Sequence, residues 1–193
     1  MQEQQYFSVT HKLNVNLELV TETALPQSVA QFEATIPEPF ILANPGQHQS
    51  LLSLRAIKQL GEAGEQLLAY LQAQEQKLNR VLSYVLVQQD SHEHRTLSHQ
   101  FGGSEIHCFW KQALPQGQLV KLKIFIPEES TAVFCYGEVK QSTPIAHRSE
   151  HLLEISYKWI RDEDVEALVR ASLHVQSQQL KARADARQQA EQD

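Results

Sequence analysis

Nine histidines in a chain of 193 residues make metal coordination the first chemistry to weigh. His147 and His151 stand four apart, and His92 and His94 two apart. On a helix the first pair would turn both rings the same way, as two zinc ligands require. Their segment lies between two strand patterns, however, and carries no matching carboxylate motif, while His92-Glu93-His94 sits in a polar stretch. These histidines read as solvated surface residues, and no metal site is expected. Gly102-Gly103 has neither the spacing nor the lysine of a phosphate-binding loop, and no Gly-x-Ser-x-Gly elbow occurs. Glu128-Glu129 and Asp162 to Asp164 fall at a turn and at a helix start, where solvation and helix-dipole roles suffice. No catalytic residue is assigned, and the chain is not expected to be an enzyme.

The remaining reactive side chains read as packing. Cys108 and Cys135 lie inside strand-like segments and are expected to be small core residues with free thiols. Trp110 and Trp159 are expected to be core or interface anchors.

Composition narrows the class. Hydrophobic residues make up 41% and charged residues 21%, as in ordinary soluble domains. A net charge of −6 and a pI near 5.8 argue against a nucleic-acid polymer as partner, since that needs a basic surface. No apolar run reaches the length of a membrane span, so no membrane insertion is expected. The N-terminus, Met1-Gln-Glu-Gln-Gln, lacks the basic-then-apolar layout of a secretion signal, and a cytoplasmic location is expected.

The strongest pattern is helical. Ile57, Leu60, Gly64, Leu67, Leu71, Gln74, Leu78, Val81 and Val85 alternate in steps of three and four, the a/d spacing of a heptad repeat. The spacing predicts a long helix within 49–88, from Leu51 to Val87 with Ser50 as N-cap, spanning about 55 Å at 1.5 Å per residue. A domain of this size has no interior that wide, so the seam is expected to meet a partner helix. Gln74 at a seam position can fix register or strand number. Leu68, Leu82 and Leu86 widen the stripe, which suits a bundle or a helix buried on one side by its own domain. Gly61 and Gly64 either admit a close backbone or break the helix in two.

Around this helix the pattern is β. Residues 7–20 alternate, with Val9, Leu13, Val15, Leu17 and Leu19 on one face and Asn14, Asn16 and Glu18 opposite. Residues 21–46, with four prolines, read as an extended connection with at most one short strand or turn. Residues 88–100 read as a polar loop leading into a strand. Strands follow around Ile106 to Trp110, Val120 to Ile126, Val133 to Val139 and Leu153 to Tyr157, spaced as in a small antiparallel barrel or sandwich. A helix begins near Asp162 and its apolar stripe stops after Leu180. The expected organisation is 1–48 as an N-terminal strand and proline-rich segment, 49–88 as the oligomerisation helix, 89–180 as barrel plus C-terminal helix, and 181–193 as a frayed tail.

From about Arg95 to Gln179 the chain resembles a PilZ domain. The resemblance runs through Pro115-x-Gly117-x-x-Val120-Lys-Leu122-x-Ile124-x-Ile126-Pro127, Val133-Phe-Cys-Tyr-Gly137-Glu-Val139 and Leu153-Glu-Ile155-Ser-Tyr157-Lys-Trp159-Ile160, then the helix from Asp162 to Leu168. The front half, with its strand, proline-rich stretch and long helix ending Glu75-Gln-Lys77-Leu78-Asn79-x-x-Leu82, is similar to the atypical, tetramer-forming PilZ group. The resemblance implies an α+β fold: a small six-stranded antiparallel barrel, a coiled-coil-forming helix, a C-terminal helix, and assembly as a homo-oligomer of four chains.

Typical PilZ receptors grip cyclic di-GMP with Arg-x-x-x-Arg and Asp/Asn-x-Ser-x-x-Gly. Here Arg95-Thr-Leu-Ser-His99 has a histidine in place of the second arginine. Alignment on the following strand gives Gln100, Gly102 and Glu105 at the second motif; the other register keeps Ser104 but places Gly102 and His107 at the ends. Arg183-Ala-Asp-Ala-Arg187 has the spacing but falls after the domain. Arg95, His99, Gly102 and Ser104 remain the candidate nucleotide-binding residues, with Arg80 and Arg148 as substitute guanidinium groups. Glu105 would repel an anionic ligand, so cyclic di-GMP is possible but disfavoured and no cofactor is expected. The expected function is a non-enzymatic regulatory or adaptor protein that self-assembles through Ile57, Leu60, Leu67, Leu71, Gln74, Leu78, Val81 and Val85 and contacts an unidentified protein partner. The alternative is a working cyclic di-GMP receptor with a non-standard pocket.

Overall fold

A computed structural model describes residues 8–44, 57, 61–146 and 148–190. Seven strands run β1 (Ser8–Thr10), β2 (Asn14–Val20), β3 (Arg95–Gly102), β4 (Glu105–Trp110), β5 (Leu119–Ile126), β6 (Thr131–Pro144) and β7 (His151–Trp159). Every pairing is antiparallel, in the order β1-β3-β2-β5-β6-β7-β4, and β4 pairs back onto β3. Strands β2 to β7 therefore close into a six-stranded barrel, which leaves no free sheet edge among them. The helices are α1 (Val29–Thr35), α2 (Glu38–Ala43), α3 (Glu62–Val87) and α4 (Asp162–Ala190).

Two cores result. Inside the barrel lie Val15, Leu17, Phe101, Ile106, Val120, Leu122, Ile124, Val133, Leu153 and Ile155, every one of them fully buried, with both cysteine thiols among them. Burial alone holds the Cys108 thiol well above its ordinary range, as expected for an inert packing residue. Leu168 and Ala171 of α4 join this core, so the C-terminal helix covers it from one side. Gly137 on β6 is where two strands crowd: a Cβ there would sit 2.5 Å from Ile155 Cγ2 and 3.0 Å from the Ser156 carbonyl.

The second core lies outside the barrel wall. Phe125 of β5 and Phe134 and Tyr136 of β6 point outward and are buried by Phe32, Ile36 and Phe40 of the α1–α2 segment and by Leu86 of α3. Their rings pack edge-on or tilted, with Phe40 5.9 Å from Phe134 and Phe134 5.7 Å from Tyr136. This explains why β5 and β6 are buried on both faces.

Four sequence expectations are corrected. Residues 21–44 are not an extended connection: α1 starts where Ser28 Oγ accepts the Gln31 amide, and α2 starts after Pro37. Both are short, and docking of Phe32 and Phe40 on the barrel stabilises them where propensity alone would not. Residues 8–20 form two strands, not one. The break at residues 11–13 is bridged by the buried Ser98 hydroxyl, which accepts the Leu13 amide at 2.8 Å and donates to the His11 carbonyl at 2.8 Å. Residues 95–100, read as loop, are strand β3. Helix α4 does not end near Leu180 but continues to Ala190, with residues 181–187 exposed along it.

The seam helix is also revised. Gly61, at φ +66°, sits outside helical geometry as the N-cap of α3, while Ile57 before it is helical and half-buried. Gly61 therefore interrupts the helix within 49–88. Ser50 and Leu60 lie outside the described residues.

Candidate functional site

Helix α3 carries eight of the fifteen exposed large hydrophobic side chains among the described residues. Its 26 residues span about 39 Å. One face turns inward: Leu68 and Leu86 are buried, and Leu82 packs on the outer core. The a/d face turns out. Leu67, Leu71, Leu78, Val81 and Val85 are all exposed, Leu78 by 68% and Val81 by 62%. Gln74 is half-buried among them, and Ile57 is half-buried upstream. The heptad template missed Tyr70 and Tyr84, which lie exposed beside the strip; the fourteen-residue step between them carries the signal, since it keeps both on one side of the seam.

Beside this strip α2 forms a second wall. A groove of ≈ 820 Å³ runs between them, lined by Pro39, Leu42, Leu71, Leu78, Val81 and Val85. Glu38 and Glu75 are the charged residues of its lining. The structure thus brings together five of the predicted seam residues, Leu71, Gln74, Leu78, Val81 and Val85, in one apolar trough.

The candidate nucleotide-binding residues are not brought together. Arg95 opens β3 and Gly102 closes it, about 24 Å apart at strand rise. The Arg95 guanidinium is engaged with Asp90, Nη2 to Oδ2 at 2.8 Å. His99 is exposed on the outer wall, edge-on to Phe109 at 5.8 Å. Gly102 is buried opposite Ser8. Ser104 sits in the β3–β4 turn, where its carbonyl accepts the Tyr157 amide at 3.0 Å. Arg80 is exposed on α3, and Arg148 pairs loosely with Glu150 at 3.7 Å. His92 lies exposed in the turn after α3 and His94 half-buried at its end; His151 opens β7, and His147 is outside the described residues.

Two buried polar clusters escaped sequence reading. Asn16 of β2 is 1% exposed. Its amide donates to Asp90 Oδ1 at 2.8 Å and to the Ser91 carbonyl at 3.2 Å, and its Oδ1 accepts the Ser91 amide at 2.7 Å. This fastens the end of α3 to the barrel. Asp164, fully buried in the first turn of α4, accepts from Arg161 at 2.8 and 2.9 Å and from Asn44 at 2.7 Å. Burial pushes its carboxyl up, and the Arg161 and Asn44 donors offset part of that rise. Asn44 also donates to the Ala132 carbonyl at 3.0 Å and accepts from the Thr131 hydroxyl, so α2, β6 and α4 meet at one carboxylate.

No protein-family profile matches the chain. No curated protein matches it. Solved structures do. A PilZ domain protein of Xanthomonas campestris, described as tetrameric and self-assembled through an unusual helical bundle, superposes with a TM-score of 0.55 at 16% identity, covering 92% of each chain. The Bacillus subtilis inhibitor of motility MotI/DgrA superposes with a TM-score of 0.48 at 13% identity, over 92% of this chain and 53% of that one. The chain thus spans about half the length of the Bacillus protein. The fold is PilZ-like: a closed six-stranded antiparallel barrel with a long helix between its strands and a C-terminal helix.

Proposed function

We propose that this chain is a non-enzymatic PilZ-type regulatory or adaptor protein. It self-assembles through α3, acts in the cytoplasm and uses its barrel to contact other proteins. The observation that carries the reading is the exposed a/d strip from Leu67 to Val85 on a helix whose opposite face is already anchored. Fully burying a Leu or Val side chain is worth roughly 1.5–3 kcal/mol, so five such residues left in water are a large unused driving force. The helical-bundle assembly described for the Xanthomonas protein, which matches over nearly the whole of both chains, supports the same arrangement here. A tetramer is the preferred stoichiometry, because the Xanthomonas protein is described as tetrameric and Tyr70 and Tyr84 widen the exposed face beyond a strict a/d seam. Among the described residues no helix is long and apolar enough to cross a membrane, consistent with assembly in water.

Cyclic di-GMP recognition in the usual PilZ mode is disfavoured in this reading. A dinucleotide needs free guanidinium groups converging on its phosphates. Arg95 is committed to Asp90, and the other candidates are strung along β3. Sedimentation velocity on the full chain at micromolar concentration tests the assembly claim: one oligomeric boundary is expected, and a monomer overturns it.

A further inference from the structure

The outer wall of β4 and β7 gathers three metal-ligating side chains at one point. Glu105 and His107 share the outward face of β4, because Ile106 and Cys108 are fully buried in the barrel. His107 stands directly across from Glu154 on β7, whose neighbours Leu153 and Ile155 are buried inside. One ring nitrogen and two carboxylate oxygens lie within 4.8 Å of one another, with His107 Nε2 3.3 Å from Glu105 Oε1. All three side chains are half-buried and rise from paired strands of a closed barrel.

The charge pattern sets this patch apart. Elsewhere on the wall a carboxylate has a lysine across the ladder or beside it: Glu18 pairs with Lys121 at 2.6 Å, and Glu138 with Lys140 at 3.0 Å and Lys158 at 3.1 Å. Among the described residues no lysine or arginine pairs with Glu105 or Glu154; the imidazole of His107 is the basic group between them. Two adjacent carboxylates without a lysine, facing an imidazole, make a donor set short of positive charge. From this juxtaposition we propose that Glu105, His107 and Glu154 form a binding site for a divalent transition cation, Zn²⁺ in the first instance.

The donor chemistry selects that class. A nitrogen and two carboxylate oxygens form a three-ligand set that leaves a fourth tetrahedral position to water. Imidazole favours Zn²⁺ over Mg²⁺ or Ca²⁺, which prefer all-oxygen sites, and the Irving–Williams order places Zn²⁺ above Mn²⁺. With metal–ligand bonds near 2.1 Å, tetrahedral donors stand about 3.4 Å apart, so side-chain rotation alone can close the longest gap. The bound ion would bridge β4 and β7 and stabilise the folded barrel by mass action. This inference is independent of self-assembly, because the three residues lie on the barrel wall and not on α3.

Calorimetry with zinc chloride on the full-length, chelator-stripped protein tests it, alongside His107→Ala, Glu154→Gln and a His92→Ala/His94→Ala control for the loop histidines. We expect one Zn²⁺ per chain, weakened at least tenfold in each of the first two variants and unchanged in the control. A zinc-dependent rise in thermal midpoint should be present in wild type and control and absent in Glu154→Gln, which keeps size and removes charge. Absence of saturable uptake by wild type, uptake that survives His107→Ala, or uptake lost only in the loop control would each overturn the proposal.

Discussion

Arg95 and Asp90 hold each other by two hydrogen bonds, Nη2 to Oδ2 at 2.8 Å and Nε to Oδ1 at 3.1 Å, and the same Oδ1 accepts from the buried Asn16 amide. The one arginine that sequence alignment places near a phosphate site is thereby a fastener between α3 and the barrel. Isothermal titration with cyclic di-GMP at tens of micromolar protein is expected to give no saturable heat. Submicromolar binding that disappears in Arg95→Ala would show instead that this guanidinium leaves Asp90 for a ligand.

Leu71 and Leu78 lie in the trough between α2 and α3. A carboxylate in a dry helix interface is costly to desolvate. The double variant Leu71→Asp/Leu78→Asp is expected to sediment as a folded monomer with an unchanged far-ultraviolet spectrum, since neither side chain contributes to the barrel cores. Full association of that variant would remove the seam assignment.

Asn16→Ala leaves the Ser91 amide without its acceptor and Asp90 without one of its donors. A cost of about 1–3 kcal/mol in chemical denaturation is expected for a buried group left unpaired. A change below about 0.5 kcal/mol, the range of ordinary surface substitutions, would mean that water replaces both contacts.

Gly137→Ala forces a methyl group into contact with Ile155 Cγ2 and the Ser156 carbonyl. The side chain can rotate but the carbonyl belongs to the β6–β7 ladder, so the strands must part. Overpacking of this kind costs about 1–3 kcal/mol, readable as a lower denaturant midpoint. An unchanged midpoint would show that β7 yields freely.

Glu138 accepts from Lys140 and Lys158, and these two ammonium groups hold its carboxyl below the ordinary 4.5. A lowered folded-state value means that its contribution to stability is present above 4.5 and is lost as pH falls through the lowered value. Asp164, raised by burial above the ordinary 3.8, acts in the opposite sense: its contribution is full below 3.8 and declines as pH rises through the raised value. Thermal midpoints from pH 2 to 7 should therefore show the gap between wild type and Glu138→Gln shrinking on the acid side. A gap that is constant with pH would mean the lysine contacts do not persist in solution.

The barrel strands were readable where alternation is driven by the inner core. Val120, Leu122, Ile124 and Ile126, then Val133 and Cys135, mark their own inward face by period alone. The same segments also carried a second signal: Phe125, Phe134 and Tyr136 on the opposite face announce that something covers it. What covers it was not readable. The prolines of the α1–α2 segment read as breaks, but Pro37 and Pro39 sit at the start of α2, and both short helices hold because Phe32 and Phe40 find those aromatics, a contact far apart in the chain. Strand β3 was hidden because its inward residues include Ser98, buried to mend the β1–β2 break. Asn16 and Asp164 looked like solvent-facing residues beside other polar ones. Each proves to be buried, because a partner remote in the chain, Asp90 for Asn16 and Asn44 for Asp164, meets it only in the fold.

Asn16 and Leu86 hold the C-terminal end of α3 to the barrel, and Gly64 and Leu68 are buried near its other end. The rod of about 39 Å is thus pinned along its inward face and is held against swinging. Its outward residues from Leu67 to Val85 keep their spacing like teeth on a stiff rack, so a sister chain that mated with one of them would be aligned for the rest.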